Sequence, residues 1–146
     1  TLMATNPSLM VRLTTLLGSK AITESTTSSS SVVPLYRAIG KAELTAISAC
    51  SFRCFSLGPL EFPKQFWLGL PQAKLFGNRF IKGIMGASGY HIVEATVSSR
   101  FFATISKPMF NEPGIGSFVT VPTGLLPAFN AEIQRFGGIV YMGSYH

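Results

Sequence analysis

Leu35-Tyr36-Arg37-Ala38-Ile39, followed after Gly40 by Lys41-Ala42-Glu43-Leu44-Thr45-Ala46-Ile47, is the stretch on which the fold turns. Its first half reads as a short apolar strand, and the second half switches to helical spacing, with Leu44 and Ile47 on the inward face. Arg37 therefore lies at the end of a strand, where a helix begins. Its planar guanidinium carries five N–H donors, and Tyr36 beside it offers a flat ring. That pair suits the phosphates and stacked base of a nucleotide. The same arginine also fits a plain surface position at a strand end, where an exposed charge contributes little to stability.

Outward from this unit the pattern stays regular. Val32 to Ile39 reads as a strand and Lys41 to Ala49 as a helix, then Gly58-Pro59 marks a turn. Lys64 to Leu68 reads as an aromatic strand, and Pro71 sits well in the first turn of a helix through Phe76. Gly83 to Gly89 reads as a glycine-rich loop without the spacing or lysine of a phosphate loop. Tyr90 to Val97 alternates as a strand, with Arg100 to Ile105 continuing it. After a turn at 111–116 come a strand from Ser117 to Val121, a helix from Leu125 to Phe136 and a last strand from Ile139 to Met142, entered through Gly137-Gly138. Mixed order of this kind predicts an α+β domain with split sheets. No Gly-x-Gly-x-x-Gly follows a strand, which argues against a Rossmann site.

Composition narrows the chemistry. The chain has 146 residues, a hydrophobic fraction of 47%, only 12% charged residues and a net charge of +6. All six acids are glutamates. Without aspartate, an aspartic dyad, a Ser-His-Asp triad and an Asp-rich calcium loop are excluded. A basic surface favours acidic partners such as nucleic acid, an acidic protein or a dinucleotide. Cys50 and Cys54, four apart, read as thiols or one disulfide, and with two histidines they make no zinc spacing, so no metal is expected. His91 reads as a strand-edge residue rather than a catalytic base.

Residues 1–31 differ from the rest. Leu9, Met10, Leu13, Leu16 and Leu17 fit a short amphipathic helix around Arg12, and Thr23 to Ser31 is a Ser/Thr run with one glutamate. Such a run cannot bury apolar area and reads as a tether. The expected division is thus a linker over 1–31 and a folded domain over 32–146. No apolar stretch reaches the roughly 18 to 20 residues of a membrane span.

The pieces recur in one order: Leu35-Tyr36-Arg37-Ala38-Ile39 with Glu43-Leu44, Lys64-Gln65-Phe66-Trp67-Leu68 with Ala73-Lys74-Leu75-Phe76-Gly77, His91 to Val97, and Gly116 to Thr123 with Leu125-Leu126, Asn130 and Ile133. This order resembles the C-terminal toxin domains of bacterial polymorphic toxins, Rhs-type proteins especially, that have the ADP-ribosyltransferase fold. The resemblance implies a split, mixed β-sheet cleft with peripheral helices. It also implies NAD as substrate, transfer of ADP-ribose to a macromolecule and release of nicotinamide. Arg37, with Tyr36, would grip NAD, and Phe66 and Trp67 would wall the nicotinamide pocket. Leu68 and Gly69 stand where related transferases carry Ser or Thr. The resemblance further implies delivery into the cytoplasm of a target cell, a protein or RNA target with translation components among the candidates, and a cognate immunity protein.

Breaking the nicotinamide glycosidic bond builds positive charge on the ribose, so the site needs a carboxylate. The resemblance puts this acid just after Val121-Pro122-Thr123, where the residue is Gly124. Either Glu132, Glu94 or Glu61 supplies it, or the chain is an inactivated form. Glu24 falls in the tether, Glu112 in a turn, and Glu43 on a helix where solvent is its expected surrounding. Two other classes fit the composition: a small basic structural subunit of a large assembly, such as an organellar one, and a nucleic-acid-binding module using Phe66, Trp67, Phe80 and Tyr90.

Overall fold

Strand β1, Val32–Ile39, lies inside the sheet of the domain, between the second and third strands of the chain. The computed structural model describes residues 31–56 and 63–146. The expected N-terminal helix and tether, Glu24, the Gly58-Pro59 turn and Glu61 lie outside the described residues. The remaining strands are β2 (Lys64–Trp67), β3 (Tyr90–Ser98), β4 (Phe110–Glu112), β5 (Gly116–Val121) and β6 (Ile139–Tyr145). They form one six-stranded sheet in the order β4-β5-β2-β1-β3-β6, and every pairing is antiparallel.

The α+β class is as expected; the pairing is antiparallel throughout where a mixed sheet was expected. Only β4 and β5 are joined by a tight turn; the other neighbours are far apart in sequence. The pairing is uneven. β1 and β3 share eight register pairs, from Val32↔Ser98 to Ile39↔His91, and β2 and β5 share four. Between β1 and β2 there is one, Tyr36↔Trp67. The sheet is thus two three-stranded halves joined at a short seam, with Arg37 next to the seam's single pair.

Alternation along the strands sends side chains to two cores. Leu35, Ile39, Phe66, Val93, Ala95, Val97, Val119 and Val121 face one side, where helices α1 (Lys41–Ala49), α3 (Ser99–Ile105) and α4 (Leu126–Gln134) bury Ile47, Ile105, Phe129 and Ile133 against them. Ala38, Trp67, Tyr90 and Ile92 face the other side. There helix α2 (Leu70–Phe76) runs directly into a π-helical stretch, Gly77–Ile84, and packs Ala73 and Ile81. This π stretch replaces the first part of the expected glycine loop; its wide turn is carried by the bond from Met85 N–H to the Phe80 carbonyl, 2.8 Å.

Arg100 to Ile105 is helix rather than a continuation of β3. The cause is Ser98, whose hydroxyl accepts from the Phe101 N–H at 3.1 Å and so caps α3. Gly137 and Gly138, at φ of 96° and 82°, turn the chain from α4 into β6 in a conformation that suits glycine. Cys50 and Cys54 form a disulfide behind α1. The segment beyond it is held to α4 by Asn130, which accepts from the Phe55 N–H at 2.8 Å and donates to its carbonyl at 2.9 Å. Among the described residues no helix is long and apolar enough to cross a membrane.

Candidate functional site

β1 ends at Ile39, Gly40 caps the next helix without help from any side chain, and α1 starts at once. This tight reversal decides where Glu43 goes. Glu43 precedes the buried Ile47 by four residues, so both lie on the sheet-facing side of α1. Glu43 is therefore turned back over the end of β1 rather than out to solvent, which corrects the sequence expectation. Its Oε2 accepts from Arg37 Nε at 2.7 Å and its Oε1 from Arg37 Nη2 at 2.9 Å, a fork-to-fork ion pair. Arg37 Nη1 donates to the Gln65 carbonyl across the seam at 2.9 Å. Lys64 Nζ stands 3.6 Å from Glu43 Oε2.

Arg37, Glu43 and Gln65 line one side of a cavity of about 510 Å³, with Gly40 beside them at the polar wall and Phe76, Ile81 and Met85 at the apolar one; Lys64 stands behind Glu43 and does not line it. The volume falls within the range of small-molecule sites. Among the described residues three of the five guanidinium N–H groups are taken, by Glu43 and Gln65, and two are left for a ligand. The side chains of Arg37 and Glu43 remain 19% and 21% exposed, enough to be reached from the cavity. Burial pushes the Glu43 pKa up, but the hydrogen bond and charge of Arg37, with Lys64 adding to them, outweigh it and hold the carboxyl below its usual value. Burial lowers the Lys64 pKa, with Arg37 lowering it further and Glu43 partly restoring it.

The other expected residues lie elsewhere. Phe66 and Trp67 are fully buried, on opposite faces of the sheet, and neither lines this cavity. Phe66 joins a cluster with Phe55 and Phe129 at centroid distances of 5.2 and 5.0 Å, and Trp67 packs on Phe76 and Phe118. They are core residues because β2 is covered on both faces. Tyr36 projects to the face opposite Arg37. There it stands beside Glu94, its register partner on β3, and burial first, then the neighbouring Glu94, raises its pKa.

Glu132 is a structural carboxylate. Its Oε2 accepts from the Ser98 N–H and its Oε1 from Arg135 Nη1, both at 2.8 Å. Ser98 pairs with Val32, five residues before Arg37 and so roughly 17 Å away along β1. Glu132 thus belongs to the far end of the sheet. Gly124 is different. It follows β5 in a 3₁₀ turn, Thr123–Leu125, three residues after Val121, whose register partner is Lys64. That is the cleft end of the sheet, and a Cβ added at Gly124 would meet nothing within 4 Å.

Glu43 and Lys64 are the site residues the sequence reading missed. The available signal was the i,i+4 relation of Glu43 to Ile47 and the placement of Lys64 at the start of an otherwise buried strand. His91 is not at a sheet edge either: β3 lies between β1 and β6, and its Nδ1 hydrogen-bonds the Tyr141 hydroxyl at 2.9 Å. It lines a second, largely apolar hollow of about 750 Å³ with Leu44, Thr45, Phe52 and Tyr141, between α1 and β6. Among the described residues no group of three metal-ligating side chains occurs.

A pH dependence follows from the two held carboxylates. For Glu132, burial raises the pKa, but the Ser98 hydrogen bonds and Arg135 outweigh it, so its folded value, like that of Glu43, lies below the usual 4.5. Each therefore adds stability that is fully present above its unfolded pKa and lost as pH falls through its folded one. The thermal midpoint should stay level above about pH 5 and fall below about pH 4.5. Glu132→Gln should lower the midpoint at neutral pH and flatten the acid fall. A variant with the wild-type acid profile, measured by calorimetry from pH 3 to 7, would show that Glu132 carries none of it. Comparison with protein-family models, with curated proteins and with solved structures returns no match for this chain.

Proposed function

We propose that the domain is an ADP-ribosyltransferase of the polymorphic-toxin type, with NAD bound in the cleft at the β1–β2 seam. The observation that carries the reading is the seam itself: a sheet nearly parted in two, with an arginine from the parting strand at the wall of a cavity. Arg37 keeps two N–H donors for the NAD diphosphate while Glu43 fixes its orientation. Phe76 and Ile81 offer an apolar wall to a ring. In this reading the finer fold, a split ADP-ribosyltransferase cleft, corresponds to the two three-stranded halves.

In the reaction the bond from ribose C1 to the nicotinamide nitrogen breaks. Nicotinamide leaves with the bonding electrons, and a nucleophile on a protein or RNA target takes the ribose. The developing cation needs a free carboxylate. Glu43 lines the cavity, but both its oxygens are held by Arg37. With glycine at position 124, the chain binds NAD and cleaves it slowly. A transferase of this type, delivered into the cytoplasm of a target cell, calls for an immunity protein in its producer, and translation components are suitable targets.

Calorimetric titration with NAD tests the reading. Losing a charge-assisted contact to phosphate costs about 1.5 to 3 kcal/mol, so Arg37→Gln should weaken binding roughly ten-fold or more. Equal affinity in the two proteins would rule out Arg37 as the anchor. A second reading, a small basic structural subunit, is favoured by the exposure of Ile84 and Met85, 71% and 74%, beside a net charge of +6. It predicts no NAD binding.

A further inference from the structure

The larger hollow, between α1 and β6, differs from one end to the other. Lys41, Leu44, Thr45, Ser48 and Ala49 recur at spacings of three and four, so one stripe of α1 forms its wall. Opposite stand His91 of β3 and Tyr141 of β6. Tyr141 is the register partner of Val93, two residues after His91, so both side chains lie on the sheet face that α1 covers. Ile39 is the register partner of His91, and Lys41 opens α1 two residues later. Lys41 and His91 are therefore at the same end. At the other end Ala49 closes the helix and Phe52 follows it, roughly 12 Å along α1 from Lys41. No residue lines both this hollow and the seam cavity.

The polar end suits an anion. None of the residues lining the hollow is acidic, and Lys41 has no ion-pair partner among the described residues. The Tyr141 hydroxyl meets His91 Nδ1 at 2.9 Å; with the hydroxyl donating, the ring proton sits on Nε2, where it is a donor for a carboxylate. We propose that the hollow binds a straight-chain carboxylate of the fatty-acid class, with its head at Lys41 and His91 and its chain along Leu44 towards Ala49 and Phe52. Leu44 and Phe52 pack against the main core while still lining the hollow, so a chain laid on them extends that core and leaves water. The volume of about 750 Å³ is in the range of small-molecule sites.

The test titrates the full chain calorimetrically with hexanoate, decanoate and decanol, and follows melting with each. Decanoate should bind and raise the melting temperature, and hexanoate should bind about ten-fold or more weakly, because each methylene that leaves water adds affinity. Lys41→Gln should weaken decanoate about three- to ten-fold, the range for a charged contact at an exposed position, and leave decanol unchanged. Ala49→Phe fills the hollow from an exposed position and should abolish binding of both. If Ala49→Phe does not fold, Ser48→Phe, also at an exposed position, carries the comparison. Decanoate that does not bind the wild type, or binds the filled variant as well, overturns the site. Decanoate bound equally by wild type and Lys41→Gln overturns the placement of its head. A dimer in sedimentation velocity that Tyr141→Glu dissolves and decanoate does not would give the hollow to a second copy of the chain and overturn the proposal.

Discussion

Gly124→Glu is expected to raise nicotinamide release from NAD by about 100 to 1,000-fold, the usual contribution of one preorganised electrostatic group. The expectation rests on three observations. Among the described residues the cavity is lined by one carboxylate, Glu43, and both its oxygens are held by Arg37. Position 124 lies three residues beyond Val121, the register partner of Lys64, at the same end of the sheet as the cleft. A side chain at 124 meets open space, so the substitution fits the fold. Nicotinamide can be followed by chromatography, and growth arrest on expression in a bacterium gives a second readout. A folded Gly124→Glu protein that binds NAD and releases nicotinamide no faster than the natural chain would remove position 124 from the reaction.

The largest loss of stability should come from Phe129→Ala. Phe129 is completely buried on α4 and packs against Phe66 at 5.0 Å, Phe55 at 5.9 Å and Phe101 at 6.0 Å between ring centroids. It ties α4, β2, α3 and the segment after the disulfide into one cluster. Truncating a buried phenylalanine costs about 3 to 5 kcal/mol through lost transfer energy and the cavity left behind. For a domain of this size the thermal midpoint should fall by about 10 °C or more. Leu75→Ala, at a position 47% exposed, serves as the control and should change little. A Phe129→Ala midpoint within two degrees of wild type would mean that this cluster does not hold the two layers together.

Both predictions depend on features that were legible to different degrees in the sequence. β1 and α1 were readable residue for residue, because the switch from alternating to helical spacing at Gly40 is sharp and Leu44 and Ile47 mark one face. β3 and the entry to β6 were equally clear, the first from its apolar alternation and the second from two glycines. Arg100 to Ile105 was not, since the Phe101-Phe102 pair looks strand-like and the deciding signal is the single cap at Ser98. The π stretch after Phe76 is a matter of hydrogen-bond register, which side-chain pattern does not encode.

The candidate site was half legible. Arg37 stands out as a lone cation on an apolar strand, and the structure puts it at a cavity. Phe66 and Trp67 look like pocket walls in a linear reading because nothing in one strand reveals that both of its faces are covered. Glu132 looks like a free acid until Ser98 and Arg135 are seen to hold both oxygens. Glu43 and Lys64 escaped notice because their role depends on how α1 folds back over the seam, a long-range relation between segments that are 21 positions apart in sequence.

The most direct measurement of the central claim is a crystal structure of the chain with NAD. The diphosphate should lie within hydrogen-bond distance of Arg37 Nη1 and Nη2, in the cavity bounded by Gly40, Gln65 and Ile81. NAD found instead in the hollow between α1 and β6, or no NAD in crystals grown at millimolar concentrations of it, would contradict the account.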